Sequence, residues 1–228
     1  LEGFGTLERV AAEKASLAKH VRAGGAVVVN GDREILLRLV RPPQAQVISF
    51  GRSESNDMRM TALTVEPGGV RFEVNNHFRF ELPVLGAHNA VNCLAAIVVA
   101  RRLGFEMEEI AEALRDFKLP AMRLELTSIG PYRVLNDAYN ANPVSMKSAV
   151  EVLADFSTTG RRVFCCGQMM ELGEKAEEFH RQLGRHIGTS RIDALVAVGQ
   201  FAGSVVREAV AAGLSAERAW AFPAADDA

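Results

Sequence analysis

The chain has 228 residues, 48% apolar and 24% charged, enough for one large domain or two smaller ones, each with a core. Its 26 basic and 28 acidic residues nearly balance, which argues against a nucleic-acid partner or an anionic membrane surface. No apolar run approaches the roughly 18 residues of a spanning helix, so membrane insertion is not expected.

In chain order, Thr6 is placed to cap a helix running to about Arg22, which Gly24 and Gly25 stop. "AVVVN" (26–30) reads as a buried strand, "REILLRLV" (33–40) as a helix and "QVISF" (46–50) as a second strand. Residues 60–84 alternate apolar and polar around Gly68-Gly69 and Asn75-Asn76, the pattern of antiparallel strands joined by tight turns. "HNAVNCLAAIVVARRLG" (88–104) is apolar nearly all round and reads as a buried helix; "MEEIAEALRDF" (107–117) is a shorter amphipathic one. "KLPAM", around Pro120, is the best candidate boundary. Beyond it, strands "LELTSI", "YRVLND", "RRVFCCG", "ALVAVG" and "RAWAF" alternate with helices at 143–156, 175–188 and 201–212. That alternation predicts an α/β domain with a mainly parallel, doubly wound sheet. No G-x-G-x-x-G is present, which argues against a dinucleotide fold. Cys93, Cys165 and Cys166 make no metal spacing or disulfide framework, and the last two read as buried thiols.

Several polar residues stand out. Leu7, Val10, Leu17 and Val21 share a helical stripe, and position 14 on that stripe is Lys. Its stem can pack while the ammonium reaches water, or the amine can be desolvated and functional. His88, Asn89 and Asn92 crowd the start of the apolar helix, where they either cap it or help its amides hold an anion. Arg123 stands beside the boundary as a surface cation or a phosphate contact. Asn136, Asp137, Tyr139, Asn140 and Asn142 occupy the strand-to-helix turn before Pro143. An N-cap accounts for Asn142 and Pro143 but leaves Asp137, Tyr139 and Asn140, which suggests a polar ligand at the strand's carboxyl end. "CGQMMELGE" (166–174) follows another strand; His180 and His186, six apart on the next helix, do not share a face for a metal.

Together, "LEGFG…K", "GAHNAVNCLAA", "MRLE", "NDAYNANPVSM" and "G-x-M-x-ELGE…H" resemble, in type and order, the motifs of the Mur ligases. "DAYNANP" and "M-x-ELGE" are most similar to members that add D-Ala-D-Ala to UDP-N-acetylmuramoyl tripeptide. The resemblance implies the second half of a P-loop central (ATPase) domain over residues 1–119, then a Rossmann-like C-terminal domain over 120–228. It implies ATP-dependent amide formation through an acyl phosphate, with Mg²⁺, in a cytoplasmic monomer. Lys14 matches the lysine that family members carry as a carbamate able to hold Mg²⁺, and would be catalytic. His88 and Asn89 match a nucleotide-contacting helix start. Arg123 matches a catalytic arginine that approaches the ATP phosphates, and Asp137 a carboxylate near the ribose. Tyr139 would then lie by the nucleotide, and Asn140 and Asn142 by the incoming dipeptide. The chain departs from the pattern in two places: no G-x-x-G-K-T occurs in it, and the family's "GDM" reads "GQM" at Gln168. With no initiator Met and no phosphate-cradling loop, the chain is expected to be a piece of a longer protein, inactive alone. Competing expectations are another ligase of the superfamily, or a non-catalytic α/β pair binding a nucleotide or a partner.

Overall fold

The structure, a computed structural model, describes residues 5–66 and 68–228; Leu1 to Phe4, most of the "LEGFG" motif, and Pro67 lie outside them. Two compact units divide the chain between Lys118 and Leu119.

In the first unit, the Thr6 hydroxyl accepts the Arg9 amide at 3.3 Å and caps α1 (Leu7–Ser16), which runs on as a 3-10 turn to His20. Strand β1 (Ala26–Asn30), helix α2 (Glu34–Leu39) and strand β2 (Gln46–Gly51) follow, β1 and β2 being parallel. Strand β3 (Met58–Glu66) continues parallel to β2, then turns back through β4 (Gly69–Val74) and β5 (Phe78–Leu82) as an antiparallel meander. The result is one sheet in the order β1-β2-β3-β4-β5. Alternation decides its inner face: Val70, Phe72 and Val74 are buried while Arg71 is exposed. Phe72 lies opposite Phe80 with ring centroids 5.5 Å apart, and each such buried ring stabilises by about 2–3 kcal/mol. Helix α3 (Ala87–Arg102) packs Leu94, Ile97 and Val98 against this sheet; α4 (Met107–Arg115) begins on a Glu106–Glu109 capping box.

Two faces differ from expectation. The buried side of α1 is Ala11, Ala15 and Ala18, whereas Leu7 and Leu17 are exposed. The alanines have the same three- and four-residue spacing, and their small size lets the helix sit close to Val29 and Val40. Helix α3 is buried on one side only: Val99 and Leu103 are exposed and, with Leu17, Val21 and Phe105, line an open apolar groove of about 820 Å³.

The second unit begins with a hairpin, β6 (Glu125–Ile129) and β7 (Tyr132–Asn136), closed by Gly130 and Pro131. Helix α5 (Pro143–Asp155), β8 (Val163–Cys166), α6 (Ala176–Gly188), β9 (Ala194–Val198), α7 (Ala202–Ala211) and β10 (Ala219–Phe222) follow. The last three strands form a parallel sheet in the order β10-β9-β8, as the alternation predicts. Strands β6 and β7 do not join it. They pair antiparallel as a separate hairpin, with β6 exposed along its length and Tyr132 70% exposed. The two-residue turn at Gly130, with φ 58°, makes this local pairing possible. Val150, Phe164, Leu183, Ile187, Leu195 and Val205 make the core. Helices α6 and α7 cross closely because Gly184 and Gly188 carry no Cβ; one there would collide with the Val205 and Ala209 carbonyls. Cys166 is buried, and burial pushes its thiol up to about 12, as it does Cys93. Cys165, read from sequence as buried, is exposed, because neighbours on a strand face opposite ways. Among the described residues no helix is long and apolar enough to cross a membrane.

One brace in the first unit holds the carboxyl ends of β1 and β2 together. The Asp32 carboxylate accepts the amides of Arg52 (2.8 and 3.0 Å) and Ser53 (2.9 Å) and the Asn56 side-chain amide (3.0 Å). Partial burial opposes ionisation of Asp32, but these donors outweigh it and hold the carboxyl below its ordinary 3.8. A lowered folded-state pKa contributes stability above pH 3.8 that is lost as pH falls through the folded value. Asp32→Asn is therefore expected to cost about 1 kcal/mol at pH 7, a modest figure because the residue is exposed. In urea melts the gap to the parent should narrow below pH 3.8; a gap unchanged from pH 7 to pH 3 would refute the brace.

Candidate active site

Each polar side chain between β7 and α5 has a partner nearby. Asn136 Oδ1 accepts the Ala138 amide at 3.2 Å, and Asn140 Oδ1 the Ala141 amide at 2.9 Å. Asn142 caps α5, its Oδ1 accepting the amides of Val144 and Ser145, both at 3.0 Å, while the Ser145 hydroxyl accepts the Asn142 amide. The Asp137 carboxylate accepts the amide of Leu124 at 3.1 Å, thirteen residues back. Bracing of the backbone, more than capping alone, thus explains why amide and carboxylate side chains crowd this turn. It also commits the Asn142 oxygen to the cap, away from a ligand.

Arg123 is presented by a short strap. Met122 (φ 60°) and Leu124 (φ 49°) flank it in the left-handed region, which costs non-glycine residues about 1–2 kcal/mol each. Leu124 is buried, the Met122 carbonyl accepts the Tyr139 amide at 3.1 Å, and the Met122 amide donates to Glu125 Oε2 at 3.0 Å. The exposed guanidinium lies over the exposed Tyr139 ring, Cζ 4.2 Å from its centroid. Arg123 therefore meets Asp137 and Tyr139, on the far side of the β6–β7 hairpin, in one cluster, with Asn140 and Asn142 on the adjoining turn.

The first unit treats its residues differently. Lys14 is exposed and itself lines the apolar groove, whose lining also includes Asn30 and no carboxylate. The anomaly of a lysine on a core-facing stripe disappears, because that stripe is not the buried face: Leu7 and Leu17 are exposed and Val10 and Val21 half-buried. The groove meets α3 between Ala95 and Leu103, well beyond the helix start that carries His88 and Asn89. Asn89 is buried, its amide donating to the Leu85 carbonyl at 2.8 Å and its oxygen accepting from Asn92 at 3.4 Å. His88 is exposed; Gly86 occupies the cap position, and no side chain caps the helix. Among the described residues no group of three His, Cys, Asp or Glu could hold a metal.

A residue whose part the sequence reading missed is His180. It is 1% exposed; its Nε2 accepts the Met169 amide at 2.9 Å and its Nδ1 lies 2.7 Å from the Ala176 carbonyl. Those partners require the neutral ring with its proton on Nδ1. The ring also packs 4.6 Å, between centroids, from Phe201. It thereby pins the "GQMMELG" loop after β8, where Gln168 Oε1 accepts the Gln200 amide at 3.2 Å and ties that loop to the one after β9. Gln168 serves as a loop tie, a task a neutral amide performs. No sequence pattern announces this contact, which spans eleven residues from Met169 to His180.

A family model described as Mur ligase middle domain matches residues 1–100, and one described as Mur ligase, glutamate ligase domain, matches 122–228. The chain belongs to the Mur ligase family. A UDP-N-acetylmuramoyl-tripeptide–D-alanyl-D-alanine ligase of Bacillus subtilis is 29% identical over 213 residues, 92% of this chain and 46% of the relative. Among solved structures, a MurF from Acinetobacter baumannii superposes with a TM-score of 0.81 at 28% identity, over 97% of this chain and 48% of that one. A MurF ligase from Thermotoga maritima, in complex with ADP, gives 0.78 at 24% identity, over 97% of this chain and 49% of that one, a likeness of fold. The chain spans about half the length of the curated relatives it matches.

In this member of the Mur ligase family, His180→Ala removes the buried acceptor of the Met169 amide and leaves a cavity. A loss of about 2–4 kcal/mol of stability is expected. Hydrogen exchange at Met169 should accelerate by more than at distant core amides; an unchanged Met169 amide would show that another group holds the loop.

Proposed function

We propose that the chain supplies the middle- and C-terminal-domain residues of an ATP-dependent ligase that joins D-Ala-D-Ala to UDP-N-acetylmuramoyl tripeptide. The carrying observation is the clustering of Arg123, Asp137 and Tyr139 beyond the β6–β7 ladder, within a chain resembling ligases that bear this name. In the reaction, a carboxylate oxygen of the tripeptide attacks the γ-phosphorus and ADP leaves. The dipeptide amine then attacks the acyl phosphate carbonyl, phosphate leaves, and the amine proton is lost. Such chemistry depends mainly on holding the reactants and neutralising phosphate charge.

Arg123 is suited to the phosphates: its guanidinium is exposed, and its ring contact leaves the N–H edge to donate. Asp137 and Tyr139 lie beside the nucleotide, and Asn140 faces the dipeptide. His88 stands at the start of α3 toward the nucleotide; Asn89, buried and bonded, shapes that turn. Lys14, as a carbamate, would supply one oxygen ligand arm to Mg²⁺, whose chemistry when bound is to offset phosphate charge. Among the described residues, the surroundings of Lys14 do not by themselves complete a cation site. The protein is assigned to the cytoplasm as a monomer.

The test is phosphate release by the full-length gene product given ATP, the UDP-muramoyl tripeptide and D-Ala-D-Ala. Release should require all three, and Lys14→Ala should reduce it by at least about a hundredfold, the loss expected when a charge-stabilising group is removed. Residues 1–228 alone should release none, since the chain holds no G-x-x-G-K-T. Release that ignores the dipeptide would refute the assignment; an unaffected Lys14→Ala would remove that residue from it.

A further inference from the structure

Asp137 has a partner that a ribose-binding carboxylate does not need. Its oxygen accepts the amide of Leu124, the residue directly after Arg123, in a half-buried setting. Two residues on, the Tyr139 amide donates to the Met122 carbonyl, on the other side of Arg123, and the Tyr139 ring lies under the guanidinium. Residues 137–139 thus grip 122–124 at both ends and in the middle. Among the described residues, the gripped segment is also the one place where left-handed non-glycine residues stand on both sides of an arginine. Such a conformation persists only where its surroundings over-determine it. Among the described residues Arg123 makes no ion pair, so nothing but the strap and the ring sets where its charge points.

We propose that Asp137 and Tyr139 are positioning residues for Arg123: they hold residues 122–124 in a strained strap that aims the guanidinium, so that Asp137 acts on the nucleotide's phosphates through Arg123. The inference rests on the ligase reading for what Arg123 touches, but the strap itself does not depend on it. Glu125 supports the same geometry by taking the Met122 amide, and Leu124 anchors it by burial. The paired strands lock the neighbouring register, Glu125 opposite Asn136, so a loss of the Asp137 contact frees the strap without unzipping the hairpin.

The experiment is a double-mutant cycle in the full-length gene product, reading kcat and KM for ATP, with hydrogen exchange at Leu124 alongside. Asp137→Ala should lower kcat/KM at least about tenfold, the scale of a lost hydrogen bond to a charged group. Asp137→Asn, whose amide oxygen can still accept from Leu124, should recover part of that loss. In an Arg123→Ala background, Asp137→Ala should add less than about threefold, because its route of action is gone. Tyr139→Phe, which keeps a ring under the guanidinium, should be milder than Tyr139→Leu, and that difference should also vanish without Arg123. Leu124 exchange should quicken in Asp137→Ala and slow again in Asp137→Asn. If Asp137→Ala costs the same fold with and without Arg123, Asp137 acts on the ribose directly and the proposal fails. Unchanged Leu124 exchange in Asp137→Ala would also overturn it. A wild type that releases no phosphate would sink the ligase reading and the phosphate role of Arg123 together, while the exchange data would still decide whether the strap exists.

Discussion

The hydrogen bond from the Leu124 amide to Asp137 joins two segments that the chain order keeps thirteen residues apart, and the polar end of the second unit is arranged around it. It lies one step beyond the last pair of the β6–β7 ladder, where the strands would otherwise part. From there the chain goes in two directions, back through the strap that carries Arg123 and forward through the turn that ends in the Asn142 cap. Each direction ends on a firm anchor: Leu124 in the core on one side, α5 on the other. The exposed guanidinium and the exposed ring between them are held by backbone geometry, with little packing of their own. That is how a site on a surface turn can be precise.

Much of the fold was legible because its elements have simple periods. The alternation of Val70, Phe72 and Val74 against Arg71 announces a half-buried strand, and the paired asparagines at 75 and 76 take the left-handed turn that such a meander needs. The β-α alternation after Pro120 likewise points to the parallel β8–β10 sheet. What failed was phase. Helix α1 has two stripes of similar spacing, one of large residues and one of alanines, and hydrophobicity favours the former. Close packing on β1 selects the alanines, a matter of distance that periodicity does not carry. The same limit applies to α3, apolar on all sides yet buried on one. Strands β6 and β7 read like further members of a parallel sheet because nothing in five residues distinguishes a local hairpin partner from a distant one.

The site was legible as a location more than as a set of roles. The crowding of polar residues before Pro143 does mark a place where the chain must satisfy many backbone amides, and a ligand and a turn ask for the same residue types. Asn142 and Asn89 fall to the turn, since their side chains are already bonded at short range. Tyr139 stays a candidate for the site, since its exposed ring lies against the Arg123 guanidinium. Lys14 lost its structural argument when its stripe proved not to be the buried face of α1; its place in the proposed chemistry now rests on the family resemblance. The brace made by His180 needed the fold itself, because a histidine that accepts one amide and donates to one carbonyl leaves no mark on periodicity.

The two units use one device for different ends. Asp32 and Asp137 both sit just past a strand's carboxyl end and both accept backbone amides from a distant segment. Asp32 takes donors from Arg52, Ser53 and Asn56, so its charge is spent within the protein and serves the join between β1 and β2. Asp137 takes the amide beside Arg123, which among the described residues makes no ion pair. A carboxylate that gathers loop amides fixes the loop; one that grips the residue next to an exposed guanidinium also fixes a direction. For chemistry in which phosphate charge must be met at a set place, direction is the quantity that matters, and a neutral hydrogen-bond acceptor or a flexible Lys would secure it less well.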